Sequence, residues 1–212
     1  MLFEIKNLNI FFETSKGQVH AVRDISFHVK KGETLGIVGE SGCGKSITNL
    51  ALLGLLPPEA IVKAESLMLI DYEFSKATEK DWQKVRGKKI AMIFQDPMSA
   101  LNPSITVGKQ LIETLKLHFQ LPQKEAITKS LQLLDQVGIP AAKSRMSSYP
   151  FELSGGMNQR IMIAMAIACG PQLLIADEPT TALDVTIQSQ ILDLLKNIQQ
   201  EENMAMILVT HD

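Results

Sequence analysis

Four short apolar runs punctuate the chain: TLGIVG (34–39), KIAMIF (89–94), QLLIA (172–176) and AMILVT (205–210). None alternates apolar with polar, which is the pattern of strands buried on both faces of a parallel sheet. Helical spacing fills the intervals. Ile187, Ile191, Leu194, Leu195 and Ile198 make one apolar stripe within 186–202, and Ile127, Leu131, Leu134 and Val137 mark another helix. SITNLALLGLL (46–56) and IMIAMAIACG (161–170) also read as helical. Strands and helices in this order predict an α/β fold with a mostly parallel sheet.

The first thirty residues read differently. FEIKNLNIFF (3–12) and VHAVRDISFHV (19–29) predict two strands joined by a turn at Ser15, Lys16 and Gly17, a small antiparallel sheet leading into the core. Between Pro97 and Ser154 the pattern is helical, with Pro103, Pro122, Pro140 and Pro150 as breaks. The expected organisation is a single domain over 1–212. Residues 1–97 and 160–212 supply the β subdomain and the sheet core, and about 98–159 an inserted helical lobe.

Composition narrows this only at the edges. With 212 residues, 45% of them hydrophobic, the chain sustains a full core. Its formal charge of -2, with signs interspersed, offers no basic block for nucleic acid. Cys43 and Cys169 lie too far apart in sequence for a disulfide framework, which argues for a reducing compartment. Glu4 and Lys6 interrupt what would be the apolar core of a signal peptide. The longest apolar run, 161–169, is far short of the roughly 18 residues a membrane span needs. The expectation is a soluble protein able to dock on a membrane protein.

Each apolar run ends in chemistry. The first ends in GESGCGKS, the second in Gln95 and Asp96, the third in Asp177 and Glu178, the fourth in His211 and Asp212. Ligands of open α/β sheets bind at the carboxyl ends of the strands. GESGCGKS (39–46) fits G-x-x-x-x-G-K-[ST] between a strand and a helix, the context in which backbone N–H groups cradle phosphates. Lys45 is placed for the β- and γ-phosphates and the Ser46 hydroxyl for Mg²⁺. Asp177 is a second candidate Mg²⁺ ligand, and Glu178 the candidate general base for an attacking water. Gln95 is suited to orient water and touch the metal, and His211 to hydrogen-bond the γ-phosphate or the water. Cys43 is a small filler rather than a nucleophile.

One helix end remains. LSGGMNQR (153–160) puts Gly155 and Gly156 in a first turn, where each glycine costs about 1 kcal/mol against alanine. Tight helix packing is one reason for them; it leaves Ser154 without a role.

Together these residues resemble the ATP-binding cassette (ABC) ATPases. The motif order matches over nearly the whole chain: Walker A at 39–46, Gln95 of the Q-loop, LSGG at 153–156, Walker B at 173–178, the D-loop ALD at 182–184 and His211. The resemblance implies a P-loop NTPase core, ATP and Mg²⁺ as cofactors, and ATPase activity coupled to transport. It implies nucleotide contacts by Gly39, Ser41, Gly42, Cys43, Gly44, Lys45, Ser46 and Ile47, with Ser46, Gln95 and Asp177 at the metal. Phe12, with Phe11 second, would be the aromatic that stacks on adenine. In the family, cassettes pair head to tail, so Ser154, Gly155 and Gly156 would act on a partner's γ-phosphate and Asp184 would lie near the seam. GIVGESGCGKS, IAMIFQDPMSALNP, LSGGMNQR and LLIADEPTTALDVTIQSQILDLL look like the ATPases of bacterial peptide and nickel importers. Partners would then be a second, different cassette, two transmembrane permease subunits that meet the stretch after Gln95, and indirectly a substrate-binding protein, with no nucleic acid. The chain would sit peripherally on the cytoplasmic face of the inner membrane.

The match departs in places. Met157 replaces the glutamine commonest in the superfamily, and Asn158 stands where arginine is typical. The chain stops at Asp212, so it is read as truncated after the His211 loop and no iron–sulfur site is expected. The alternatives carried are a soluble ABC protein acting on ribosomes or DNA, and a nucleotide-binding fragment without turnover.

Overall fold

Asn7 is the first place where the chain leaves a plain strand. β1 (Phe3–Thr14) buries Phe3 and Ile5, then switches parity to bury Leu8 and Ile10. The switch falls at Asn7, whose φ of 51° accompanies a register shift against β2 (Gly17–Val29). The bulge is held by the Asn7 amide N–H, which donates to Ser26 Oγ at 2.9 Å, and by Nδ2, which donates to Glu65 Oε2 at 2.7 Å.

The computed structural model describes residues 1–70, 72–181 and 183–211. Two parts of the sequence expectations, Ala182 of the ALD segment and Asp212 after His211, lie outside the described residues. After β1 and β2 come β3 (Thr34–Val38), α1 (Lys45–Ala51), β4 (Ala60–Lys63), β5 (Ser66–Leu69), β6 (Tyr72–Glu73), α2 (Glu79–Val85) and β7 (Ile90–Ile93). The helical stretch holds α3 (Pro97–Ala100), α4 (Val107–Phe119), α5 (Gln123–Gln136) and α6 (Ala142–Arg145). Then follow α7 (Gly155–Ile167), β8 (Leu173–Asp177), α8 (Val185–Glu201) and β9 (Ala205–Thr210).

All four apolar runs are strands of one parallel sheet, in the order β3-β9-β8-β7. The sheet divides two cores. Leu173 and Ile175 of β8 face the core under the N-terminal sheet, while Leu174 and Ala176 face the core shared with α4, α5, α7 and α8. Burial on both faces is why β8 reads as an unbroken apolar run. β3 departs from that expectation. Among the described residues it pairs with β9 alone, and Val38 is 66% exposed.

Other expectations shift in detail. Among the described residues the N-terminal sheet has five strands, because β4, β5 and β6 join the β1–β2 pair. The first helix ends at Ala51 rather than near 56. Gly54 turns left-handed there (φ 61°) and packs so closely on the Trp82 ring that no Cβ fits. On α5, Leu134 and the following Val137 are buried, but Ile127 is exposed. α7 runs without a break across position 160, where the sequence reading divides lobe from core. Among the described residues no helix is long and apolar enough to cross a membrane.

Candidate functional site

The loop between β3 and α1 has the backbone its glycines allow. Gly42 and Gly44 have φ of 81° and 101°, values that a side chain disfavours. A Cβ on Gly44 would also stand 2.9 Å from the Ala21 carbonyl oxygen. The loop curls round the buried Lys45 side chain, whose Nζ donates to the carbonyls of Gly39 (2.5 Å) and Glu40 (2.9 Å). α1 starts with no side-chain cap and no acidic residue in its first turn. Free N–H groups beside a held cation make an anion-binding arrangement.

Next to it lies a cavity of about 480 Å³, lined by Ser41, Gly42, Gly44, Lys45, Ser46, Ile47, Gln95, Glu178, Thr181 and His211. Three strand endings meet the phosphate loop here, as the sequence pattern predicts. Gly39 and Cys43 do not line it. They support the loop from behind: Gly39 gives its carbonyl to Lys45, and Cys43 Sγ is 3.9 Å from Lys45 Nζ.

Glu178 gathers the cavity's polar groups. It leaves β8 in the left-handed region (φ 46°), and its backbone N–H still bonds to the Val209 carbonyl at 3.0 Å. Oε2 accepts from Gln95 Nε2 at 2.9 Å and from Thr181 Oγ1 at 3.0 Å, with His211 Nδ1 3.5 Å away. Oε1 faces Lys45 Nζ at 3.8 Å. Thr181 is the one lining residue that sequence reasoning missed. A threonine in a turn carries no mark of its own until a carboxylate folds back onto it.

Asp177 is buried one residue earlier, and Oδ1 has no hydrogen-bond partner among the described residues. Burial pushes its carboxyl above the ordinary value. The Ser46 hydroxyl opposes that, the Glu178 charge adds to it, and Asn49 and Lys45 also oppose it. Asn49 is fully buried beside it, with Oδ1 and Nδ2 both unpaired among the described residues. An orphaned, desolvated carboxylate oxygen next to a hydroxyl fits a hard divalent cation such as Mg²⁺. Among the described residues no cluster of three or more His, Cys, Asp or Glu stands ready to hold a metal alone.

The LSGG segment lies outside the cavity lining. Ser154 is the N-cap of α7 and accepts from the Met157 N–H at 3.3 Å. That cap gives Ser154 a role within its own chain, so packing accounts for more of this turn than the sequence reading allows. Gly156 has an intrachain reason too, since a Cβ there would stand 3.1 Å from Ile187 Cγ2. Gly155 has none of that kind; the nearest atom to its Cβ would be Leu183 Cδ2 at 3.9 Å. Asp184 caps α8, accepting from the Ile187 N–H at 3.0 Å. Gln159, one turn into α7, donates to the Pro179 carbonyl at 2.6 Å and ties this helix to the turn after Glu178. Asn158 is buried; its Nδ2 donates to the Pro150 carbonyl at 2.9 Å, while its Oδ1 has no hydrogen-bond partner among the described residues.

Phe12 is not part of the lining. It pairs opposite Val19 and Ala60 and packs, half-buried, on the core under the N-terminal sheet. Phe11 stacks on His20 with ring centroids 4.1 Å apart, and Lys63 Nζ lies 5.5 Å from its ring centre. It does not line the cavity either.

Comparison with known proteins agrees with this geometry. The family described as ABC transporter matches residues 22–181. The chain is 50% identical, over all of its length, to the oligopeptide transport ATP-binding protein OppD of Bacillus subtilis (strain 168), and covers 59% of that protein. It is 51% identical to the dipeptide transport ATP-binding protein DppD of Escherichia coli (strain K12), again over its whole length, covering 64% of it. The chain thus spans about three fifths of these curated relatives. A dimeric structure of MJ0796, described as a bacterial ABC transporter cassette, aligns with a TM-score of 0.86 at 26% identity, over 99% of this chain and 88% of that one. A second structure of that cassette, bound to ADP and Pi, aligns with a TM-score of 0.83 at 27% identity over the same shares.

Proposed function

This chain belongs to the ABC transporter family, and we propose that it is the ATP-binding and ATP-hydrolysing subunit of a bacterial importer of peptides or related small solutes. The observation that carries the reading is the meeting of Lys45, Gln95 and His211 on the Glu178 carboxylate, at the mouth of the phosphate loop. Kinship with oligopeptide and dipeptide transport ATP-binding proteins supports the choice of cargo class.

Lys45 and the loop from Gly39 to Ile47 hold the β- and γ-phosphates. Ser46, Asp177 and Gln95 would hold Mg²⁺, which neutralises charge on the phosphate oxygens. Glu178 takes a proton from water as the water oxygen bonds to the γ-phosphorus. The bond from that phosphorus to its bridging oxygen breaks, and the electron pair leaves with ADP. Gln95 and His211 orient the water and the γ-phosphate. A positioned base of this kind is worth roughly 10²–10⁴-fold in rate. Phe12, with Phe11 second, is the proposed platform for adenine, although neither lines the cavity of this chain.

Ser154, Gly155 and Gly156 lie outside their own chain's cavity, which supports a role at a partner's nucleotide with Asp184 near the seam. The partner is a second, different cassette. Two permease subunits complete the assembly, receive cargo from a substrate-binding protein, and hold this chain peripherally on the cytoplasmic face of the membrane. Co-purification with tagged permease subunits, followed by an assay of solute-stimulated ATP turnover, tests the reading. ATP turnover that neither permease nor solute affects would contradict it.

A further inference from the structure

The two carboxylate oxygens of Glu178 are held differently. Oε2 accepts from both Gln95 (2.9 Å) and Thr181 (3.0 Å). No described residue donates a hydrogen bond to Oε1, which faces the cavity cation Lys45 at 3.8 Å. Two donors fill the lone pairs of one oxygen and leave those of the other for a proton.

We propose that Thr181 is a positioning residue whose hydroxyl anchors Oε2 of Glu178 and so aims Oε1 at the attacking water. This rests on the reading of Glu178 as general base. The donors differ in what they are tied to. Gln95 follows β7 and is the residue expected to turn toward nucleotide and metal, so its bond to Glu178 is not fixed through a catalytic cycle. Thr181 shares a turn with Glu178, and its backbone N–H bonds to the Glu178 carbonyl at 3.3 Å. Its hydroxyl therefore travels with the base. Glu178 needs such an anchor. It carries a flexible side chain on a left-handed residue just past β8, and a misplacement of about 1 Å costs on the order of 10²-fold in rate.

A purely structural threonine would stabilise the turn without touching the chemistry, and two substitutions separate the cases. Thr181→Val keeps the shape and removes the donor; Thr181→Ser keeps the donor and removes the methyl group. ATP affinity, kcat and KM are measured in the complex of the full chain with its partner cassette and permease subunits. The expected result for Thr181→Val is a kcat lowered roughly tenfold, as for one lost charge-assisted hydrogen bond, with ATP affinity held within about twofold. Thr181→Ser should recover most of the rate. A wild-type kcat in Thr181→Val, an equal loss in Thr181→Ser, or a fall in ATP affinity matching the fall in kcat would each overturn the assignment. Absence of ATP hydrolysis by the wild-type complex would instead remove the ATPase reading on which it rests.

Discussion

Lys45 Nζ stands 3.8 Å from Glu178 Oε1, and the two side chains are only 7% and 15% exposed. The lysine that would hold the γ-phosphate and the carboxylate that would activate the water thus face each other across the cavity. A triphosphate entering the loop brings negative charge to a cation already partly neutralised. In this account nucleotide binding separates the pair and leaves Glu178 free to take a proton.

Asp177 carries the clearest conflict between stability and function. Its carboxyl is buried, partly unpaired and pushed above the ordinary carboxylate value. The folded state therefore binds the proton more tightly than the unfolded state. Stability falls as pH rises from the unfolded value of about 3.9 through the raised folded value, and stays lower above it. Asp177→Asn removes that charge, so the ligand-free protein should melt higher at neutral pH, by about 2–4 °C for each kcal/mol relieved. The gap should close below about pH 4. The same variant should lose the Mg²⁺-dependent part of ATP binding. Calorimetric melting with and without Mg-ATP checks both; a lower ligand-free melting point would contradict the account.

Gly155 and Gly156 should separate under alanine substitution. A Cβ at Gly155 meets only Leu183 at an ordinary 3.9 Å, whereas at Gly156 it meets Ile187 at 3.1 Å. Gly155→Ala should keep or raise stability, by up to about 1 kcal/mol, yet lower turnover in the assembled complex. Gly156→Ala should gain less, because Ile187 must shift. Thermal melts beside ATPase rates decide it. Full turnover in Gly155→Ala would mean that this glycine serves nothing beyond its own helix.

The chain alone should bind ATP and turn it over slowly, because Ser154 and Gly155 do not line its own cavity. ATPase rate measured against protein concentration, then with the cognate cassette and permeases, should rise only on assembly. Full turnover at low, monomeric concentration would remove the need for a signature in trans.

What the sequence made legible was set by how strongly a residue's type announces its job. The glycine loop, Asp177, Glu178, Gln95 and His211 each follow an apolar run, and one parallel sheet brings those strand ends together. β4 to β6 and α2 went unread, because 57–86 is short, mixed in polarity and held by contacts such as Trp82 against Gly54 and Arg86 bonded to the Leu53 carbonyl. Thr181 acts only through the carboxylate it faces, and Asn49 lies buried with its amide unpaired among the described residues; no spacing along the chain reveals either. The Ser154 cap and the Gly156–Ile187 approach show the same limit: a family motif reads as function, while part of it also serves the packing beneath.

The most direct test of the central claim is single-turnover ATP hydrolysis by Glu178→Gln in the assembled complex. Glutamine keeps the size of the side chain and an oxygen that can accept from Thr181, but it cannot take the water's proton at the strength of a carboxylate. The account predicts retained ATP binding and hydrolysis slowed on the order of 10²-fold or more. A rate within about threefold of wild type, far short of the contribution expected of a positioned base, would contradict it.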